Sequence, residues 1–302
     1  MKILLTGANG YIGKKLLPAL LEDGHKVVCV VRNRSKLPFT GIYSHHNVSI
    51  VELDFLKDDE VSYDVKEQIN DIDAAYYLIH SLTLNTKTFD KSEKETAYNF
   101  LKIVEQTSAK HIIYLGAIAN EEQLSMHLAS RKKVEEILKS GSIPFTALKA
   151  GIIVGCGSAS FEIIRTLIEK FPLIVGPEWL NTPSQPVSVV NVIQYLKLVL
   201  LRSDCFNESY DLGGPRVLSY KEMLKRYARV RRLKRYIYTM PFVPPQLASL
   251  FISLITGKSY CLALNLIKSM KIPIVARQNN LDEKLGVKRL SYNEAVTRCC
   301  GL

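Results

Sequence analysis

Six short apolar runs constrain this chain more than any other feature. "KILLTG", "KVVCVVR", "VSIVELD", "AAYYLIHS", "HIIYLGA" and "PFTALKAGIIVG" follow one another through the first 155 residues, separated by stretches of helical periodicity. Near-continuous Val, Ile, Leu and Tyr, without polar alternation, is what a parallel sheet covered on both faces requires. The first helical pattern sets Ile12, Leu16, Leu17, Leu20 and Leu21 on one side and stops at Gly24, which suits a C-terminal cap. A longer helix spans Phe89 to Ser108. This repetition predicts an α/β fold, a Rossmann-type doubly wound parallel sheet with ligands in the crevice at the carboxyl ends of its strands.

After residue 155 the pattern loosens. Helices are expected over 159–170, 190–202 and 219–232, with short strands near 186–190 and 209–213. We read residues 156–302 as a smaller C-terminal α/β substrate lobe built onto residues 1–155, or merged with them as one domain. The 47% hydrophobic content of the 302 residues supplies a core for either arrangement. Residues 242–274 are notably apolar, but the run from Phe242 to Ile255 gives 14 residues before a polar break. That is short of the roughly 20 a membrane span needs. Such a run packs a core, lines a lipophilic pocket, or lies against a bilayer.

"TGANGYIG", residues 6–13, stands between the first strand and the first helix. Gly7 permits the tight turn, Gly10 lets backbone approach a diphosphate, and Gly13 lets the helix pack closely on the sheet. Free N–H groups at the helix start attract phosphate charge. The pattern predicts a dinucleotide-binding domain over residues 1–155, with Gly7, Asn9, Gly10, Tyr11, Ile12 and Gly13 at the cofactor. The second strand then ends in "VVRNRSK" rather than in the Asp or Glu that would accept from a ribose 2′-hydroxyl. Arg32 and Arg34, with Lys36 nearby, can instead grip a 2′-phosphate, which favours NADP over NAD.

The net charge of +11 is concentrated, since "KEMLKRYARVRRLKRY" (221–236) holds eight Lys or Arg against one Glu. Leu224, Tyr227 and Val230 give this stretch an apolar side, so it reads as an amphipathic surface helix with a solvated basic face. The other reading of helix 221–236 is a peripheral membrane or protein contact. No helix-turn-helix, zinc or basic-zipper signature accompanies the charge, which argues against specific nucleic acid recognition. Six cysteines form no CxxC pair, so no metal site is expected and the thiols read as reduced, Cys299 and Cys300 included. The opening "MKILLTGANG" lacks the apolar run of about 7 to 15 residues of a signal peptide, which makes it the first strand of a cytoplasmic protein.

With these residues in hand, the chain resembles the short-chain dehydrogenase/reductase superfamily, in its atypical, extended-like members grouped as NmrA-like or NAD(P)H-binding proteins. Beyond the glycine turn, the resemblance rests on "LDF", "YYLIHS", "LKAGIIVGCGSASF", "QPVSVVNV" and "YDLGGP". It implies an adenine contact at Asp54 and Phe55 and a nicotinamide-ribose contact at His80 and Ser81. A nicotinamide-facing loop is implied at Ala150, Gly151, Ile152 and Ile153. Asn191 stands where the family usually has Asp.

The catalytic signature departs from the family's Ser and Tyr-x-x-x-Lys. In "SMHLASRKKVEEIL" the matching pair is His127 and Arg131, four apart and so on one helix face. Imidazole titrates near neutrality, so His127 could protonate a carbonyl as hydride arrives, with Arg131 on ribose or phosphate. A nearby guanidinium, however, disfavours the imidazolium form that such an acid needs. Ser125 could orient a substrate or simply cap the helix. Two functions therefore stand side by side: an NADP(H)-dependent oxidoreductase acting on a small apolar carbonyl or quinone-like substrate, with His127, Arg131 and Ser125 at the reaction, and a non-catalytic NADP(H)-binding redox-sensing or scaffold protein.

Overall fold

The computed structural model describes residues 1–302 apart from 38–40, 58–60, 81–88, 120–123, 242, 258 and 302, and for 36, 89, 90 and 127 it describes the backbone alone. Ser81 thus lies outside the described residues, as do the side chains of Lys36 and His127.

Strands and helices alternate through the first half: β1 (Lys2–Thr6), α1 (Gly13–Glu22), β2 (Lys26–Val31), β3 (Val48–Glu52), α2 (Tyr63–Ile69), β4 (Ala74–Tyr77), α3 (Phe89–Val104), β5 (Ile112–Ala117), α4 (Met126–Lys139) and β6 (Phe145–Ala150). All six apolar runs are strands. In the inner strands the side chains are buried on both faces because helices cover both: Ile3 and Leu5 join α1 in one core, while Leu4, Val28 and Tyr77 join α3 in the other; β3, an edge strand, buries Val51 and leaves Ser49 and Glu52 exposed.

The second half continues with β7 (Ile153–Val154), α5 (Ala159–Lys170), β8 (Leu173–Pro177), β9 (Pro183–Ser184), β10 (Val187–Ser188), α6 (Val189–Leu198), β11 (Glu208–Leu212), β12 (Leu218–Ser219), α7 (Tyr220–Val230), β13 (Tyr236–Met240), α8 (Pro245–Thr256), α9 (Tyr260–Met270), α10 (Leu281–Leu285) and α11 (Tyr292–Cys300). The central sheet has seven strands in the order β11-β6-β5-β4-β1-β2-β3, and every pairing is parallel. Its last strand comes from beyond residue 155, with Tyr210 opposite Leu148. Helix α6 buries Val192 and Tyr195 in the same core as α1. Residues 156–302 therefore both complete the sheet and build a second core from α5, α7 and α11 around Phe161, Tyr227 and Val296.

The basic helix is α7. It turns Leu224, Tyr227 and Ala228 into the lobe core and leaves Lys225 and Arg229 exposed. The apolar stretch 242–274 forms two helices, α8 and α9, and among the described residues no helix is long and apolar enough to cross a membrane. One expectation is corrected. Cys156, in the turn after β7, and Cys299, near the end of α11, are joined by a disulfide across 143 residues of sequence. The packing of α11 beside β7 creates that meeting, and no local spacing announces it. Cys29 and Cys205 are free and buried, Cys261 and Cys300 free and half-buried.

Candidate functional site

The glycine turn lies where the sheet's carboxyl ends open, between β1 and α1. Gly7 has φ +63°, and a Cβ there would stand 2.7 Å from the Leu78 carbonyl oxygen. At Gly13 a Cβ would come within 2.2 Å of the Gly7 carbonyl oxygen, so the helix approaches its own turn more closely than any side chain permits. The turn is pinned by Gly10 N–H donating to Gly7 O at 2.8 Å and by the Tyr43 hydroxyl donating to Ala8 O at 3.0 Å. Helix α1 has no side-chain cap and no acidic residue in its first turn, so the positive end of its dipole is open to an anion. The Tyr11 hydroxyl is buried with no hydrogen-bond partner among the described residues, and burial, then Glu162, holds it in the neutral form.

These groups border a cavity of about 740 Å³ over the sheet. Its wall includes Gly7, Asn9, Gly10, Tyr11, Ile12 and Gly13, then Arg32, Asp54, Phe55 and His80, and further along Ala150, Gly151 and Ile153. Asp54 Oδ1 accepts from Leu56 N–H at 3.2 Å, which shapes the turn carrying Phe55. Arg34 stands off the wall. Its side chain is exposed, and its backbone N–H donates to Glu52 Oε2 at 2.8 Å. Ile152 faces a second cavity instead. Glycine-lined phosphate space, an acid and an aromatic beyond it, and a cation at the end of β2 make up a donor set that fits a dinucleotide.

At the far end of the cavity the wall is Gly116, Ala117 and Arg131. Arg131 on α4 is buried, and its guanidinium has several partners. Nη2 donates to Leu115 O at 2.9 Å, while Nη1 donates to Ile79 O at 3.2 Å and to Glu93 Oε2 at 3.2 Å. The same nitrogen lies 3.4 Å from His80 Nδ1. The Tyr114 hydroxyl donates to Arg131 O at 3.1 Å, and the guanidinium carbon sits 5.1 Å from that ring's centre. Burial by itself would lower the Arg131 pKa, but the influence of Tyr114, Glu93 and Tyr77 together with the Glu93 hydrogen bond outweighs it, so the group is held cationic. Glu93 is the functional neighbour that the sequence reading missed. It lies on α3, 38 residues from Arg131, and no motif marks it.

Ser125 caps α4, accepting from Leu128 N–H at 3.3 Å, and its hydroxyl is 3.1 Å from that of Ser269 on α9. The second cavity, about 120 Å³, adjoins the first and shares Ala117, Ala150, Gly151, Ser160 and Leu266 with it. Its remaining wall includes Ile118, Ile152, Ile163, Ile164 and Leu224, with Tyr220 and Ser269 as its polar members. Among the described residues no group of His, Cys, Asp and Glu could hold a metal ion.

Comparison with known proteins agrees with this geometry. Residues 7–156 match the model of a family described as NAD(P)H-binding. A photosystem II assembly factor of Synechocystis is 23% identical over 233 residues, 76% of this chain and 68% of that one. An uncharacterized oxidoreductase of Staphylococcus saprophyticus is 26% identical over 190 residues, 62% of this chain and 73% of that one. A divinyl chlorophyllide a 8-vinyl-reductase of Zea mays is 21% identical over 227 residues, 70% and 55% of the two chains. Among solved structures, a triphenylmethane reductase of Citrobacter superposes with a TM-score of 0.78 at 16% identity, covering 100% of both chains. A nucleoside-diphosphate-sugar epimerase of Staphylococcus aureus does so with 0.74 at 16%, covering 98% and 99%. These two likenesses speak for the fold alone.

Proposed function

Because this chain belongs to the NAD(P)H-binding family of the short-chain dehydrogenase/reductase superfamily, we propose that it is a cytoplasmic, NADP(H)-dependent reductase of a small apolar carbonyl or quinone-like compound. In this reading the glycine turn binds the diphosphate, and Arg32, supported by Arg34, holds the 2′-phosphate. Asp54 and Phe55 meet the adenine, His80 and Ser81 the ribose, and Ala150, Gly151, Ile152 and Ile153 the nicotinamide. When bound, the dihydronicotinamide supplies a hydride. Arg131, fixed by Glu93 and two carbonyls, orients the ribose end and keeps a positive charge beside it, while His127 on α4 gives a proton to the substrate oxygen.

One observation carries the substrate class. The cavity of about 120 Å³ beside Ala117, Ala150 and Gly151 is walled mainly by aliphatic side chains, with Ser160, Tyr220 and Ser269 among them, an apolar pocket adjoining the cofactor cleft. One similar protein is named as a reductase of an organic ring compound, a divinyl chlorophyllide, which supports a reductase of apolar ring compounds. The test is oxidation of NADPH by the purified protein across a panel of aromatic aldehydes, ketones and quinones. His127→Ala is expected to slow turnover at least tenfold, about 1.4 kcal/mol of barrier, with cofactor affinity unchanged.

A second reading is favoured by the same end of the cavity. Ala117 offers no hydroxyl where β5 ends, and the Arg131 guanidinium is committed to Glu93, Leu115 and Ile79. A binding protein that senses or stores NADP(H), or steadies a partner, needs nothing more. Tight NADPH binding with no oxidation across the whole panel decides for it.

A further inference from the structure

Helix α8, "PQLASLFISLIT", contains no charged residue, yet half of it faces outward. Ser249 and Ile252 are buried, whereas Leu247, Leu250, Phe251 and Leu254 are exposed, Leu254 by 75%. These four stand at i, i+3, i+4 and i+7, so they form one apolar stripe along the side a water-facing helix normally gives to charge.

The stripe continues onto a second element. Strands β8 and β13 pair in parallel, with Tyr236 opposite Leu173 and Tyr238 opposite Val175. Their alternation turns Ile174 and Ile237 into the lobe core and Leu173, Val175, Tyr236, Tyr238 and Met240 outward. Phe171, two residues ahead of Leu173, meets the Phe251 ring of α8 at a tilt, with ring centres 5.5 Å apart, which joins the sheet face to the helix stripe. A contiguous apolar surface carrying two tyrosines is therefore open on a lobe whose own core is already closed.

Its rim is cationic. The Lys170 ammonium donates to Ile255 O at 2.9 Å at the end of α8, and Arg231, Arg232, Lys234 and Arg235 lead directly into β13. At this end Glu169 is the acid, and it is paired with Arg231 and hydrogen-bonded by Tyr227. Glu178 follows β8 at the opposite end. Apolar side chains flanked by a surplus of cations complement a surface that is hydrocarbon below and phosphate above, so the charge surplus selects a lipid bilayer over an uncharged apolar partner.

We propose that α8 and the outward face of β8 and β13 dock this protein on anionic membranes, with Leu247, Leu250, Phe251 and Leu254 entering the acyl boundary and Arg232 and Lys234 meeting lipid phosphates. The docked helix packs on α9, which supplies Leu266 and Met270 to the apolar cavity, so the membrane lies one helix layer from that pocket. The full chain would be tested by sedimentation with vesicles of phosphatidylcholine, alone or mixed with phosphatidylglycerol. Binding is expected to the anionic vesicles and to weaken as salt rises. Arg232→Gln/Lys234→Gln should weaken it about 30-fold, and Leu250→Glu/Leu254→Glu should abolish it, both with unchanged melting temperature and NADPH affinity. Tyr238→Ser, on the separate strand, serves as a further folded variant and should also bind less. Absence of vesicle binding, or binding that ignores all three variants, overturns the proposal. So does a dimer in solution that Leu250→Glu/Leu254→Glu dissociates, since the occupant would then be a second copy.

Discussion

Arg131 Nη1 lies 3.2 Å from Glu93 Oε2, and both side chains are almost wholly buried, 5% and 1% exposed. A buried pair of this kind repays its desolvation only while both partners are present. Glu93→Leu or Arg131→Leu is therefore expected to cost about 3–5 kcal/mol in urea denaturation. Glu93→Leu/Arg131→Met, which removes both charges, should recover most of that loss. A single variant costing less than about 1 kcal/mol would show that the pair is solvated in solution.

Gly13 and Gly24 separate what the glycine turn needs from what any tight turn needs. A Cβ at Gly13 meets backbone, the Gly7 oxygen at 2.2 Å, whereas at Gly24, with φ +77°, it meets nothing within 4 Å. Gly13→Ala should weaken NADPH binding by at least about tenfold, measured by titration calorimetry. Gly24→Ala should lower stability by about 1 kcal/mol through backbone strain and leave affinity alone. Equal affinity in the two variants would detach the turn from the cofactor.

The proposed preference for NADP rests on Arg32, which lines the cavity, while Arg34 stands off it. Arg32→Ala should cost NADPH affinity about 10- to 100-fold, the worth of a charge-assisted hydrogen bond, and change NADH affinity little. Arg34→Ala should do less. If Arg32→Ala affects both dinucleotides alike, the arginine is a general electrostatic contact and the NADP preference falls.

What was legible in the sequence was whatever repeats locally. Strands buried on both faces announce themselves by runs of Val, Ile and Leu, so the inner strands were readable, as were the half-buried edge strand β3 from its Val and Ile and α5 at 159–170. Ser125 reads as a cap because a cap needs one side chain and the next turn of backbone. What depends on chain segments meeting in space was silent. Glu93 reaches Arg131 because α3 packs on α4, and Cys156 meets Cys299 because α11 packs beside β7. Leu201 takes φ +52°, unusual for a branched side chain, with no signal of its own. The apolar run 242–274 had competing readings, core, pocket or bilayer, because it has two faces: Ile252, Ala263 and Ile267 enter the core while Leu250 and Leu254 leave it.

Leu201 is held by a histidine, and the histidine makes a pH prediction. His111 Nδ1 accepts from Leu201 N–H at 3.1 Å, so the neutral ring carries its proton on Nε2, 2.8 Å from Thr146 Oγ1, which in turn donates to Cys205 O at 2.6 Å. A protonated Nδ1 could not accept that bond. Burial pushes the imidazole pKa down to about 4, against about 6.5 in an unfolded chain. Between those values the unfolded chain binds a proton that the folded one refuses, so this contribution is complete above about pH 6.5 and is lost as pH falls toward 4. The loss approaches about 3 kcal/mol at the acid end. His25 is also lowered, by burial first, and acts in the same direction, so the comparison must be with a variant. His111→Gln keeps an acceptor for Leu201 and a donor for Thr146 but does not titrate. Its stability, measured by denaturant midpoint, should fall less than the parent's between about pH 7 and about pH 4.5. Parallel curves would mean that His111 is protonated without cost and that its pKa is not depressed in the folded chain.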